Sequence, residues 1–225
     1  MHHWLGFFLL FLCSLTVSGQ KPLLTASEID NQFSKVWKTS EASRKLYTWK
    51  SRTEVVRNGK VIQVLVEEFS YGTDGRQLRK IISNEEAPLP SGIIIRRIAE
   101  EQKAKIIAFM NGLRQFLEKY SLTDDDTRHA FFSAATTSLP DANGQLLVTG
   151  TNVFTRGDLL KWWIDTKYYT ITRATISTVF KETKAEFTAT YYLLPGLNYM
   201  SSAIIRIPSQ GIVVNLKFYD YTKKK

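Results

Sequence analysis

Between residues 145 and 221 the chain repeats one theme, apolar and mostly alternating runs separated by turn residues. The runs are Gln145–Thr149, Leu159–Thr166, Tyr168–Phe180, Glu186–Leu193, Leu197–Ile207 and Ile212–Tyr221. Asp141-Ala142-Asn143-Gly144, Arg156-Gly157-Asp158, Leu194-Pro195-Gly196 and Pro208-Ser209-Gln210-Gly211 punctuate them with turn chemistry. Connections this short cannot carry the crossover that parallel neighbours need, so the runs must fold as an antiparallel meander. This requirement constrains everything else in the chain.

The first half brings helices to that sheet. Thr25-Ala26-Ser27-Glu28 has capping-box spacing, and Ile29, Phe33, Val36 and Trp37 then share one helical face. Leu46–Val55 alternates, with Tyr47, Trp49 and Val55 on one side and Lys50, Arg52 and Glu54 on the other. Asn58-Gly59 is a strong hairpin signal, after which Val61–Tyr71 returns; Thr73-Asp74-Gly75 turns again into Gln77–Ser83. Beyond the breaker Pro88-Leu89-Pro90-Ser91-Gly92, a long helix spans 93–120. Its stripe runs through Ile95, Ile98, Ala99, Ile106, Phe109, Met110, Leu113, Phe116, Leu117 and Tyr120. Asp124, Asp125 and Asp126 suit the positive end of a third helix carrying Ala130, Phe131 and Phe132. Helix, three strands, two helices and about six more strands make an α+β layer design. A helix as apolar as 93–120 must press on something, and the concave face of a strongly curved antiparallel sheet is its natural partner.

The N-terminus limits where such a domain works. Trp4–Leu15 is apolar but shorter than the about 20 residues that cross a bilayer. With small residues near Gly19, it reads as a signal peptide over 1–19, leaving a single soluble domain over 20–225. Cys13, the sole cysteine, lies inside that segment, so the mature chain has no disulfide and no thiol for metal or catalysis. The formal charge of +9 belongs entirely to the mature part and favours acidic partners, including an anionic membrane surface. An exported protein does not meet nucleic acid. The basic end Lys223-Lys224-Lys225 reads as a solvated terminus.

Catalysis is poorly provided for. The mature chain keeps one histidine, His129, which cannot assemble a zinc set with its neighbours, and neither HExxH spacing nor a GxSxG elbow is present. A surface histidine is the simpler reading. The three aspartates lack later ligands at EF-hand spacing and are explained by helix capping. No catalytic residue, metal or cofactor is expected.

The informative residues are apolar. Ala185, Phe187, Ala189, Tyr191 and Leu193 alternate with Glu186, Thr188 and Thr190, as in a sheet with one wet face. Leu159–Asp165 is apolar on both faces, and Ile204-Ile205 and Ile212-Val213-Val214 show the same doubling. Ordinary core under helix 93–120 explains any one of these residues. Taken together, they point to a partly open apolar groove.

At Tyr47-Thr48-Trp49, Glu68-Phe69-Ser70-Tyr71-Gly72-Thr73-Asp74-Gly75 and Leu160-Lys161-Trp162-Trp163-Ile164-Asp165, the chain is similar to the LolA-like superfamily of periplasmic lipoprotein and lipid carriers. The resemblance spans most of residues 26–221, and Leu193–Met200 suggests a divergent member. It implies an incomplete β-barrel with helices over its concave side and acyl chains bound in the hollow. The expected function is then a periplasmic or secreted, non-catalytic carrier or sensor of a lipid or acylated protein. Its apolar walls would be Tyr47, Trp49, Phe69, Trp162, Ile164, Tyr191 and Tyr199, under a lid of Ile106, Phe109, Met110 and Leu113. Lys50, Arg52, Arg173 and Arg206 are the head-group candidates. The alternative is a protein–protein interaction module of the cell envelope, docking a partner through the aromatic face or an edge strand.

Overall fold

The computed structural model describes residues 25–88 and 91–224. The expected signal segment 1–19 with Cys13, the pair Leu89-Pro90 of the breaker and the terminal Lys225 lie outside the described residues.

Among the described residues, ten strands form one antiparallel sheet. They are β1 (Tyr47–Arg57), β2 (Lys60–Tyr71), β3 (Gln77–Glu86), β4 (Thr136–Thr137), β5 (Gln145–Thr151), β6 (Leu159–Asp165), β7 (Thr170–Phe180), β8 (Thr183–Leu194), β9 (Leu197–Ile207) and β10 (Ile212–Lys223). Their order is β3-β2-β1-β10-β9-β8-β7-β6-β5-β4, an open ribbon whose two ends do not pair with each other. The meander expected from the turns is therefore present, and the early hairpins join it through β1 against β10, with Val55 opposite Val214. That long-range pairing has no local sequence mark. The Asn58-Gly59 turn has positive φ at both positions, 49° and 77°, which matches the twist of a two-residue hairpin.

Among the described residues, three α-helices lie on the sheet: α1 (Ala26–Arg44), α2 (Ile93–Glu118) and α3 (Asp125–Ala134). The Thr25 hydroxyl accepts the Glu28 N–H at 3.2 Å, and the Glu28 carboxylate accepts the Thr25 N–H at 2.8 Å, so the capping box opens α1. Asp124 caps α3 by accepting the Thr127 N–H at 2.8 Å. Lys38 and Arg128 both donate to Asp125 and hold its carboxyl down at about 2. No helix among the described residues is long and apolar enough to cross a membrane.

The concave face holds two cores. The larger joins Ile29 and Phe33 of α1, Phe131 and Phe132 of α3, and Tyr120 and Leu122 to Leu146, Val148, Leu160, Trp162, Ile164, Ile171, Ala174 and Ile176 of β5, β6 and β7. Rings fill it: Phe33 lies 5.4 Å and Phe131 5.2 Å from the Trp162 ring. Gly150 is there by necessity, since a Cβ on it would stand 2.5 Å from Phe131 Cε2. The smaller core centres on Leu113 of α2, against Ala185, Ile205, Ile207, Ile212 and Val214.

Helix α2 departs from expectation. Its stripe presses on the sheet only over the C-terminal half, where Leu113 is the one buried residue and Phe109 and Phe116 pack on Phe180 of β7 at 5.5 and 5.4 Å. Ile95 and Ile98, expected under the sheet's cover, are exposed. The reason is spacing: α2 meets the sheet at Phe180 and the Leu113 cluster, while its first turns extend past them beside β3, a strand with almost no buried residue on either face.

Candidate functional site

Where α2 stands off the sheet, a cavity of about 580 Å³ opens. Alternate residues of adjacent strands make its floor: Thr53, Val55 and Arg57 of β1, Leu65, Glu67 and Phe69 of β2, and Val214, Leu216 and Phe218 of β10. Ala99, Ile106, Ile107 and Met110 of α2 form the roof. The volume lies within the range of small-ligand pockets, and the composition fits that class, mostly apolar with a few polar groups.

The polar groups are not equivalent. Glu67 is buried and takes a hydrogen bond from Arg79 Nε, which closes one side of the cavity as an ion pair. Lys103 of α2 pairs with Glu86 at the end of β3 and ties the helix to the edge strand. Arg57 differs from both. Its Nε is buried without a hydrogen-bond partner while its side chain lines the cavity. A buried donor left unmatched costs free energy that an acceptor on a guest would recover.

Phe69 also begins a row of rings across five neighbouring strands. Trp49 stacks on it at 5.6 Å and 10°, Tyr221 stacks on Trp49 at 5.8 Å, Tyr199 lies 4.1 Å from Tyr221, and Tyr192 ends the row at 6.4 Å. A second hollow, about 490 Å³, is lined by Tyr192, Tyr199 and Tyr221, and Phe218 borders both hollows. Burial pushes the Tyr221 hydroxyl well above its ordinary value.

The structure distributes the wall and lid residues singled out in the sequence among five places. Phe69, Ile106 and Met110 line the cavity. Phe109 and Leu113 anchor α2 to the sheet. Trp49 and Tyr199 belong to the aromatic row. Trp162, Ile164 and Tyr191 lie in or against the larger core, packed by α1 and α3, and burial holds the Tyr191 hydroxyl up at about 12. Tyr47 starts β1 opposite Lys223, away from the cavity lining.

Of the head-group candidates, Lys50 pairs with Asp220 at 3.0 Å and Arg52 with Glu54 at 3.0 Å. Arg173 lies 4.8 Å from the Trp163 ring, and Arg206 stands opposite Glu186. None of the four lines the cavity. Arg57 does, and nothing in its sequence position, just before the Asn58-Gly59 turn, marks it as a buried donor. Leu65 lines it too, in a stretch, Val61–Val66, that is mostly apolar on both faces like Leu159–Asp165.

His129 is half exposed, and its Nδ1 contacts Asp30 of α1. Beside it Arg128 is fully buried, donating from Nε to Ser34 Oγ at 3.0 Å and from Nη1 to the Leu122 carbonyl at 3.3 Å. These contacts clamp α3 to α1 and lie on the filled side of the sheet. A second polar knot joins Tyr120, whose hydroxyl donates to Asp158 at 2.7 Å. Burial pushes the Tyr120 hydroxyl up to about 12. Burial would also raise Asp158, but the Tyr120 hydroxyl and the N–H groups of Phe154, Thr155 and Val153 outweigh it and hold the carboxyl below its ordinary value.

The sequence matches no family model and no curated protein. Among solved structures it is similar to a DUF1329 family protein of Desulfovibrio piger, at 10% identity over 89% of this chain and 94% of that one, with a TM-score of 0.46. It is also similar to a LolA superfamily protein of Nitrosomonas europaea, at 10% identity over 85% of this chain and 93% of that one, with a TM-score of 0.33.

Proposed function

We propose that this protein is a non-catalytic carrier or sensor of an anionic, lipid-like amphiphile, held in the cavity between α2 and strands β1, β2 and β10. The observation that carries the reading is the combination of a cavity of about 580 Å³ under an apolar roof with one unmatched cationic donor, Arg57 Nε, on its wall. The tail lies along Leu65, Leu216 and Met110, and the carboxylate or phosphate meets Arg57. Each buried methylene contributes about 0.8 kcal/mol against water, but a lipid arriving from a membrane is already shielded, so the cavity need only match the bilayer. Such a site suits exchange.

Native mass spectrometry of gently purified protein tests this. Fatty acid or phospholipid mass should accompany the protein, and Arg57→Gln should weaken uptake of palmitate more than uptake of the uncharged palmityl alcohol. Protein that stays empty with both lipids present would overturn it.

The proposed setting is the periplasm or the extracellular space, with residues 1–19 removed and 20–225 acting as one domain. N-terminal sequencing of exported protein should begin near Gln20.

A second reading, docking of a protein partner, has one observation in its favour. Strand β3 is an edge strand with Leu78, Ile81 and Ile82 exposed, the kind of edge to which another chain can add. Lipid uptake unaffected by blocking the cavity, together with partner capture lost on Ile81→Lys, would favour that reading.

A further inference from the structure

We infer that the first two turns of α2 dock on an anionic lipid bilayer and place the mouth of the cavity against it, an inference that rests on the proposed amphiphile binding. Ile93, Ile94 and Ile95 are 89%, 76% and 58% exposed, and Ile98 on the next turn is 51% exposed. Consecutive large apolar side chains presented to water at the tip of a helix need a partner.

The chemistry around them selects the partner. Arg96 and Arg97 follow the isoleucines directly, and Lys105 continues on the same helix. The i,i+4 pairs of Arg96 with Glu100 and Arg97 with Glu101 are solvent-exposed, hence weak, and yield to lipid phosphate. The helix start points the same way. Gly92 precedes it with φ of 104°, no side chain caps it, and its first turn holds no acidic residue, so its positive end faces outward. Apolar side chains flanked by cations at an uncapped helix tip are the surface that an anionic interface accepts, with isoleucine in the acyl boundary and arginine at the head groups.

The cavity continues from this tip. Ala99 and Gln102, one turn beyond Ile95 and Ile98, line it together with Ala87 and Pro88 at the end of β3. A lipid leaving the bilayer beside Ile98 therefore meets the cavity without crossing water, which joins docking to loading.

Flotation with vesicles of equal parts phosphatidylcholine and phosphatidylglycerol tests the docking. Dansyl fatty acid uptake in vesicle-free buffer tests the cavity separately. The full chain should float with these vesicles and much less with pure phosphatidylcholine. Ile93→Ser/Ile94→Ser/Ile95→Ser should lower partition by roughly tenfold while uptake persists, because these side chains lie outside the cavity. Arg96→Gln/Arg97→Gln should erase the preference for phosphatidylglycerol. Leu65→Trp should block uptake and leave flotation intact. Flotation that is absent in the wild type, or unchanged in the isoleucine variant, overturns the docking; loss of uptake alone overturns only the amphiphile reading.

Discussion

One line of directly opposed residues crosses eight strands of the sheet and behaves differently at its two ends. It runs Val148, Trp162, Ala174, Ala189, Ala203, Leu216, Thr53, Leu65, from β5 to β2. The first five are buried, and the last three are only half-buried. Strand geometry does not cause the change, since the alternation is continuous. Cover does. Over β5, β6 and β7, α1 and α3 bring Phe33, Phe131 and Phe132 into contact with Trp162. Over β1 and β2, a single helix spans the face, held at Leu113 and Phe180 and tied to the edge strand by Lys103, and the space it fails to fill is the cavity. The same inward-facing code makes a closed core under two helices and an open cavity under one.

Several changes sharpen that contrast. Trp162→Ala in the closed half should cost about 3–5 kcal/mol in urea unfolding, because rings from two helices cannot collapse into the gap. Leu65→Ala in the open half should cost under about 1 kcal/mol, since little surrounds it to lose. Equal costs would dissolve the distinction. Gly150→Ala should cost about 1–3 kcal/mol by forcing Phe131 aside.

Next comes pH. The Tyr120 hydroxyl is held at about 12, above its unfolded value near 10, so its contribution is complete below pH 10 and is lost as pH rises toward 12. The Asp158 carboxyl is held below its ordinary value, so its contribution is present at neutral pH and disappears as pH falls through the acid range. Tyr120→Phe should therefore cost about 1–3 kcal/mol at neutral pH and flatten the alkaline limb of a stability profile. The smallest expected effect is a gain: Leu65→Trp should add about 0.5–1 kcal/mol by filling space, at the expense of amphiphile uptake.

The fold was largely legible because its rules are local. Turn residues, the Asn58-Gly59 hairpin and the Thr25–Glu28 capping box each act over a few positions. The pairing of β1 with β10 and the short strand Thr136–Thr137 lack such marks. The site was legible only in part. Amphipathic periodicity identified α2 and its apolar stripe, which gave Ile106 and Met110, but periodicity states which face is apolar and not how far from the sheet the helix rests. The same ambiguity gathered Trp162 and Ile164 with Phe69, because an inward ring has the same sequence pattern whether helices or a guest cover it. Arg57 carries no mark in the sequence for a related reason: an unmatched buried nitrogen exists only in three dimensions.

If guests enter under α2 and nowhere in the closed core, methyl NMR during titration with palmitate will locate them there. Shifts are expected at Leu65, Ile106, Met110 and Val214, with Leu146, Leu160 and Ile164 unmoved. Shifts concentrated at Leu160 and Ile164, or no shifts at saturating palmitate, would contradict entry under α2.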